Sequence, residues 1–169
     1  QLDDTARIAR DLIRFDTTNY GEGRSKGETE AAEYVGAILE ALGLQTEYID
    51  SATGRTSVIT HVEGRYENDV DTRRGERPGL VVHGHLDVVP ADPANWSVDP
   101  FAGEVRDGML WGRGAVDMKD MDAMILTALD EILSGGGQPN RDLTIAFFAD
   151  EENGGAYGSH HIVQNRPEL

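Results

Sequence analysis

Residues 143–149, with the sequence LTIAFFA, form the clearest candidate for a central strand in this chain. All of these residues except Thr144 are apolar, and two acidic residues, Glu151 and Glu152, follow after one further position. A short run that is apolar throughout predicts a strand buried within a sheet. The sequence therefore places carboxylates at the carboxyl end of a buried strand, which is where α/β sheets gather their ligand sites.

Strand and helix patterns alternate along the rest of the chain. We expect a first helix with an N-cap at Asp3 or Asp4, and a second helix behind a capping box made by Ser25 and Glu28. The other predicted elements are strands at 45–49, 57–62, 80–82, 104–106 and 109–111, a charged surface loop at 63–78, a helix with Met121, Met124, Ile125, Ala128, Leu129, Ile132 and Leu133 on one apolar face, and a weaker helix at 154–164. This alternation predicts an α/β fold, a three-layer sandwich with a mostly parallel central sheet and flanking helices.

The composition narrows the class of protein. The 169 residues suffice for one domain with a core, and the lack of cysteine excludes disulfides and thiolate metal sites. The formal charge of -16 disfavours nucleic acid and anionic membranes as partners. No apolar run approaches the roughly 20 residues of a membrane helix, and no basic-then-apolar leader opens the chain. We expect a cytoplasmic protein, although Gln1 leaves a removed N-terminal segment open.

Two further clusters resemble the pair of glutamates. His85 and Asp87 follow the apolar strand at 80–82, and because residues two apart in an extended segment point the same way, both can face one site. Asp117 lies between a glycine-rich hairpin exit and the start of a helix. Carboxylates and an imidazole at strand ends are costly to bury unless a cation holds them together. The three clusters favour a metal site, with two metals as the preferred interpretation.

Each cluster also has a simpler interpretation when it is taken alone. His85 with Asp87 could be a polar strand end, Asp117 an ordinary helix N-cap, and the paired glutamates a solvated acidic loop. Adjacent glutamates point in different directions, so one could bind metal while the other reaches a water as general base, and their mutual repulsion should raise one pKa. A phosphate loop at residues 112–114 is a further alternative, but its spacing fits neither a P-loop nor a dinucleotide fingerprint.

Four separated motifs resemble those of one family. They are VHGHLDVVP at 82–90, Trp96 with DPF at 99–101, DGMLWGRGAVDMKD at 107–120, and ADEENGG at 149–155. Together they resemble the two-zinc aminoacylases and exopeptidases, which include acetylornithine deacetylase, succinyl-diaminopimelate desuccinylase, glutamate carboxypeptidase and aminoacylase. The resemblance covers almost the whole chain, and the order and spacing of the motifs agree with it.

The resemblance implies a role for each residue of the three clusters. His85 is implied to bind one zinc, Asp117 to bridge two zinc ions, and Glu152 to bind the other. Glu151 is implied to be the general base and Asp87 the partner of His85. The resemblance also implies a cis peptide bond directly after Asp117. Zinc itself rests on the resemblance, since an oxygen-rich site with an imidazole also accepts Co²⁺ or Mn²⁺.

The implied activity is hydrolysis of an amide bond in an N-acyl amino acid or short peptide through a metal-activated water. The implied partner is a small molecule, and the parent protein would be a homodimer. Residues 1–169 would be the N-terminal portion of the catalytic domain, with the lid, a further acidic ligand and a late histidine beyond Leu169. The alternative is a truncated, inactive piece that serves as a binding or assembly module. Deacylase, dipeptidase and carboxypeptidase activities all stay open.

The remaining histidines and tryptophans are given structural roles. We expect His83 to lie in the core or to support the site, and Trp96 and Trp111 to pack around the site loops. The loop at residues 16–19 could approach the site. The histidines expected at ordinary surface or structural positions are His61, His160 and His161.

Overall fold

The computed structural model describes residues 3–65 and 78–168. The helices are α1 (Asp4–Ile13), α2 (Thr29–Ala41), α3 (Lys119–Ser134) and α4 (Ser159–Asn165). The strands are β1 (Asn19–Gly21), β2 (Arg24–Ser25), β3 (Thr46–Ala52), β4 (Arg55–Val62), β5 (Leu80–His85), β6 (Glu104–Arg106), β7 (Met109–Trp111) and β8 (Leu143–Phe148). Most of the predicted charged loop, residues 66–77, lies outside the described residues. None of the helices within the described ranges is long and apolar enough to cross a membrane.

The central sheet has the strand order β3-β4-β8-β5, so the apolar strand β8 lies inside it, as predicted. The β5–β8 pair is parallel, whereas the β3–β4 and β4–β8 pairs are antiparallel. The expectation of a mostly parallel sheet is therefore wrong for the described strands. The physical reason is clearest at β3 and β4, because residues 53–54 between them form a hairpin turn and are too few for a crossover.

Helices cover both faces of this sheet, which confirms the α/β sandwich. On one face Phe147 of β8 packs with residues of α1, α2 and α3 in the main core. On the other face Ala146 of β8 packs with Ile59 of β4 and Ile162 of α4. Because neighbouring residues of a strand point to opposite faces, one apolar run supplies both layers of the core.

The helix starts differ in how well the sequence predicts them. Asp3 caps α1 as expected, since its side chain accepts a hydrogen bond from the Ala6 amide at 2.8 Å. The capping box predicted for α2 is wrong. Ser25 accepts a hydrogen bond from the Gly27 amide instead, and Glu28 is fully buried in an ion pair with Arg55. The buried guanidinium of Arg55 therefore holds the glutamate that the capping box would need.

The buried face of α3 agrees with the predicted one in part, since Leu129 is buried and Ile125 and Leu133 pack against the main core. Met121 and Met124 are 45% and 49% exposed, while the residues that the helix buries are Lys119, Asp122, Ala123, Leu126 and Leu129. Two of those residues are charged and lie in the first turn, so the apolar pattern alone predicts the wrong buried face for that turn. The Nζ atom of Lys119 donates hydrogen bonds to the carbonyl oxygens of Leu12 and Phe15 at 2.9 and 2.8 Å.

Strand β5 lies very close to the start of α3. A Cβ atom at Gly84 would lie 1.9 Å from Oδ1 of the buried Asp122, so a side chain there would displace this carboxylate. The predicted hairpin is also present, with β6 and β7 paired antiparallel across residues 107–108. These contacts bring the end of β5, at His85, close to the loop that carries Asp117 from the hairpin into α3.

Candidate metal centre

The paired glutamates and His85 lie at the same edge of the central sheet. His85 is the last residue of β5 and pairs in parallel with Phe148, the last residue of β8. A short 3₁₀ turn at Glu151–Asn153 follows β8. Parallel neighbouring strands end at the same edge, so the imidazole and the glutamates meet where the sequence predicts.

The imidazole of His85 has one ring nitrogen directed to the backbone and one directed to carboxylates. Its Nδ1 atom lies 3.0 Å from the carbonyl oxygen of Asp87, with the Asp87 carboxylate farther away at 3.5 Å. A carbonyl oxygen only accepts, so Nδ1 carries the proton and donates it. The Nε2 atom then faces Oδ1 of Asp117 at 3.1 Å and Oε2 of Glu151 at 3.5 Å.

The structure brings together the three side chains to which the resemblance assigns metal ions. One ligand atom from each of His85, Asp117 and Glu152 lies within 4.8 Å of the other two. With Nδ1 protonated, all of these atoms are electron-pair donors, and a divalent cation satisfies them together. The donor set of imidazole and carboxylate therefore fits the predicted metal. The peptide bond between Asp117 and Met118 is cis, as the resemblance implies.

The electrostatic environment of the cluster is strongly negative. Burial by itself lowers the pKa of His85, but the Asp87 side chain and the charge of Glu151 outweigh it and raise that pKa to about 9. Burial raises the pKa of Glu152, and the charge of Asp117 raises it further. The negative charge that accumulates here raises both of these pKa values, with burial as the larger cause for Glu152. A metal cation would compensate this negative charge.

Asp87 connects the end of β5 to the 3₁₀ turn at Glu151–Asn153, here called the glutamate turn. The residue is fully buried. Its Oδ1 accepts a hydrogen bond from the Glu151 amide at 3.0 Å, and its Oδ2 accepts from the Glu152 amide at 3.1 Å. Burial alone would raise the pKa of Asp87, but hydrogen bonds from His85 and Asn19 outweigh it and lower that pKa. Asp87 therefore supports the glutamate turn through the backbone as well as contacting His85.

A group of buried polar residues behind the cluster is absent from the sequence-based site. It comprises Asn19, Glu28, Arg55 and Asp150, and every one of them is buried. The loop at 16–19 does approach the site, since the Asn19 side chain contacts Asp87, but the sequence does not single out Asn19 within it. No sequence pattern singles out Arg55, because a buried arginine at the start of a strand has the same local sequence as an exposed one.

A cavity of about 320 Å³ opens beside the cluster. Its lining includes Trp96, Arg113, Asp117 and Glu152. The Arg113 guanidinium lies over the Trp96 ring, 5.3 Å from its centroid. Trp96 thus packs against a site loop, as predicted.

The remaining predicted packing residues lie elsewhere. Trp111 lies under the Arg106 guanidinium, 4.9 Å from the ring centroid. His83 is exposed and contacts the Phe148 ring, with centroids 5.5 Å apart, so the core position expected for it is wrong. His61 and His160 are exposed, as expected.

Residues 81–168, more than half of the chain, match Peptidase family M20/M25/M40, and the chain belongs to this family. It is 33% identical over 165 residues to a succinyl-diaminopimelate desuccinylase of Bradyrhizobium sp. (strain BTAi1). The matched region covers 96% of this chain and 40% of that protein. It is 45% identical over 154 residues to an N-fatty-acyl-amino acid synthase/hydrolase, PM20D1, of Xenopus tropicalis, which covers 90% of this chain and 28% of that protein.

The fold is also found among solved structures. An M20 family metallo-carboxypeptidase, Sso-CP2, from Sulfolobus solfataricus superposes with a TM-score of 0.77 at 20% identity, over 99% of this chain and 36% of that one. These matches confirm the family resemblance and the fold class. The chain spans about 40% of the length of the first curated relatives that it matches.

Proposed function

We propose that this chain carries metal-binding and general-base residues of a metal-dependent hydrolase that cleaves an amide bond in N-acyl amino acids or short peptides. The observation that supports this most directly is the convergence of His85, Asp117 and Glu152 within 4.8 Å, next to the carboxylate of Glu151. An imidazole and carboxylates suit zinc, with Co²⁺ or Mn²⁺ as alternatives.

Three side chains would hold the metal. His85 offers Nε2, because the Asp87 carbonyl fixes the proton on Nδ1. Asp117 would be the ligand shared by two ions, and Glu152 would hold the second. When bound, a pair of divalent ions supplies a water whose pKa falls toward ~7 and a Lewis acid for the scissile carbonyl.

Glu151 would move the proton. Its side chain is half exposed at the mouth of the cluster, and its backbone amide is held by Asp87. The carboxylate takes a proton from the attacking water and then delivers it to the nitrogen of the leaving amine. One residue can serve both steps because it is a base before the attack and an acid after it.

The relatives and the cavity support one choice of substrate class. One relative is named a desuccinylase and another a synthase/hydrolase of N-fatty-acyl-amino acids, and both names describe an acyl group on an amino compound. The cavity of about 320 Å³ beside Asp117 and Glu152 has the size of a small ligand site. Acylated amino acids are therefore preferred over dipeptides as first candidates.

The direct test is a hydrolysis screen with the full-length protein that contains this chain. N-acyl amino acids of graded acyl length and a set of dipeptides would be incubated with Zn²⁺, Co²⁺ or Mn²⁺, and free amine would be measured. We expect turnover that a chelator abolishes and added metal restores. Metal binding without hydrolysis of any compound would favour the binding module instead.

Replacing His85 by Ala is expected to lower the metal content of the purified protein. The change removes the only imidazole among the three convergent ligand atoms and leaves two carboxylates. Metal per protein would be measured by elemental analysis after dialysis against a limiting concentration of Zn²⁺. His160→Ala is the matched control, since that histidine is exposed and outside the cluster. An unchanged metal content in His85→Ala would contradict the assignment.

A further inference from the structure

A buried hydrogen-bonded network lies directly behind the glutamate turn. Asn19, Arg55, Asp87 and Asp150 are each at most 4% exposed, although all four are polar or charged. Polar side chains at this depth are costly unless every group has a partner. The contacts among them therefore determine where each of these side chains lies.

Asn19 joins two carboxylates with one amide nitrogen. Its Nδ2 donates hydrogen bonds to Oδ2 of Asp87 at 2.8 Å and to Oδ1 of Asp150 at 2.9 Å. Its Oδ1 accepts from the Gly21 amide at 3.1 Å and from Arg55 Nη2 at 3.3 Å. Both ends of the amide are thus engaged, and the orientation of the group is fixed. A side chain that cannot donate twice would leave two buried carboxylates facing each other.

Arg55 supplies the positive charge for this network. Its Nη2 lies 3.1 Å from Oδ1 of Asp150, and its Nη1 donates to the buried carboxylate of Glu28. The rigid guanidinium can contact two carboxylates and the Asn19 amide at the same time. A lysine at the same position would keep the charge but not this geometry.

The two carboxylates that this network holds are the ones that hold the glutamate turn. Asp87 accepts the backbone amides of Glu151 and Glu152, as described above. Asp150 immediately precedes the turn and adopts a left-handed conformation, with φ of 61°. Its Oδ2 accepts the Tyr157 amide at 2.9 Å, which ties the residue to the segment beyond the turn. Both attachments of the turn therefore depend on the network.

We propose that Asn19 and Arg55 are positioning residues for the metal centre. They fix the carboxylates of Asp87 and Asp150, and through these the backbone of the turn that carries Glu151 and Glu152. Metal affinity and coordination geometry consequently depend on two side chains that have no contact with the metal. This inference rests on the proposed function, because it assumes that the cluster binds a divalent ion.

The test is a Co²⁺ titration of the full-length protein followed by visible absorption, which reports coordination geometry without any substrate. Asn19→Asp keeps the shape of the side chain but removes both donated hydrogen bonds. We expect the Co²⁺ dissociation constant to rise by about 10–100-fold, with an altered absorption spectrum. Arg55→Lys should change the spectrum in the same direction, because charge alone does not orient Asp150. Asn165→Asp is the matched control, since that exposed amide donates to the His161 carbonyl within α4.

Each outcome decides the question. If Asn19→Asp unfolds at a lower temperature but binds Co²⁺ with the wild-type constant and spectrum, the network is only structural and the inference is wrong. If Asn19→Asp does not fold, Asn19→Ser, which adds no charge, decides by the same two readouts. If the wild-type protein binds no Co²⁺, the proposed metal centre itself fails, and the inference fails with it.

Discussion

Replacing Glu151 by Gln is expected to lower kcat by about 10²–10⁴-fold while metal stays bound, because an amide cannot accept the proton of the attacking water. The backbone amide of residue 151 would still donate to Asp87, so the turn keeps its support. The three convergent ligand atoms come from other residues and are unchanged. KM should change far less than kcat, because the substitution removes an interaction of the transition state.

The measurement is steady-state hydrolysis of the best substrate from the screen, together with metal analysis of the same samples. Glu131→Gln is the control, since Glu131 is an exposed glutamate of α3 outside the cluster. Turnover of Glu151→Gln near the wild-type rate would remove Glu151 from the mechanism. Loss of metal together with turnover would instead assign Glu151 to the metal.

Replacing Arg55 by Met is expected to lower the free energy of unfolding by about 3–5 kcal/mol, which is the typical effect of removing one partner of a buried ion pair. Arg55 is 4% exposed and lies between the carboxylates of Glu28 and Asp150, which are 0% and 1% exposed. Methionine is similar in length but leaves both carboxylates without their cation. Urea unfolding followed by circular dichroism measures the change.

The loss of unfolding free energy in Arg55→Met should depend on pH. Burial raises the pKa of Glu28 from 4.5 to about 7, against the lowering by Arg55. Between these values the folded state binds the proton more tightly than the unfolded state, so stability falls as pH rises. Without Arg55 the folded pKa rises further, and the fall continues to higher pH. The variant should therefore lose more stability above pH about 8 than below about 6.

Arg7→Met is the matched control for this experiment. Arg7 forms an exposed pair with Asp4 on α1, with the two side chains 48% and 71% exposed. Such pairs contribute about 0–1 kcal/mol, so little change is expected. A similar effect of both substitutions, or no pH dependence for Arg55→Met, would mean that the buried network does not carry the charge balance described here.

The three clusters of the site are predictable from sequence because each is local. His85 and Asp87 are two residues apart on one strand end, and Glu151 and Glu152 follow a short apolar run that predicts a buried strand. The rule that ligand sites lie at carboxyl strand ends then brings them together without knowledge of the full strand order. For the same reason an incorrect expectation about the direction of β3 and β4 did not affect the predicted positions of these residues.

The supporting network is not predictable in the same way, because its members are brought together only by folding. Asn19 and Asp150 are 131 positions apart, and Arg55 and Glu28 are 27 apart. Buried charge also misleads pattern analysis directly. Glu28 completes an apparent capping box, and Lys119 makes the buried face of α3 look polar. Both mislead because a charged residue is assigned to the surface unless its partner is known.

The absence of a side chain at Gly84 has a mechanical consequence. It lets the end of β5 lie directly against the first turn of α3, next to the buried Asp122. The imidazole lies at the end of β5 and Asp117 lies in the loop that leads into α3, so a cation shared by them would join these two segments. Metal binding and the contact between these two segments are then thermodynamically linked. A change that separates the segments lowers the affinity for the ion, and binding of the ion stabilises their contact.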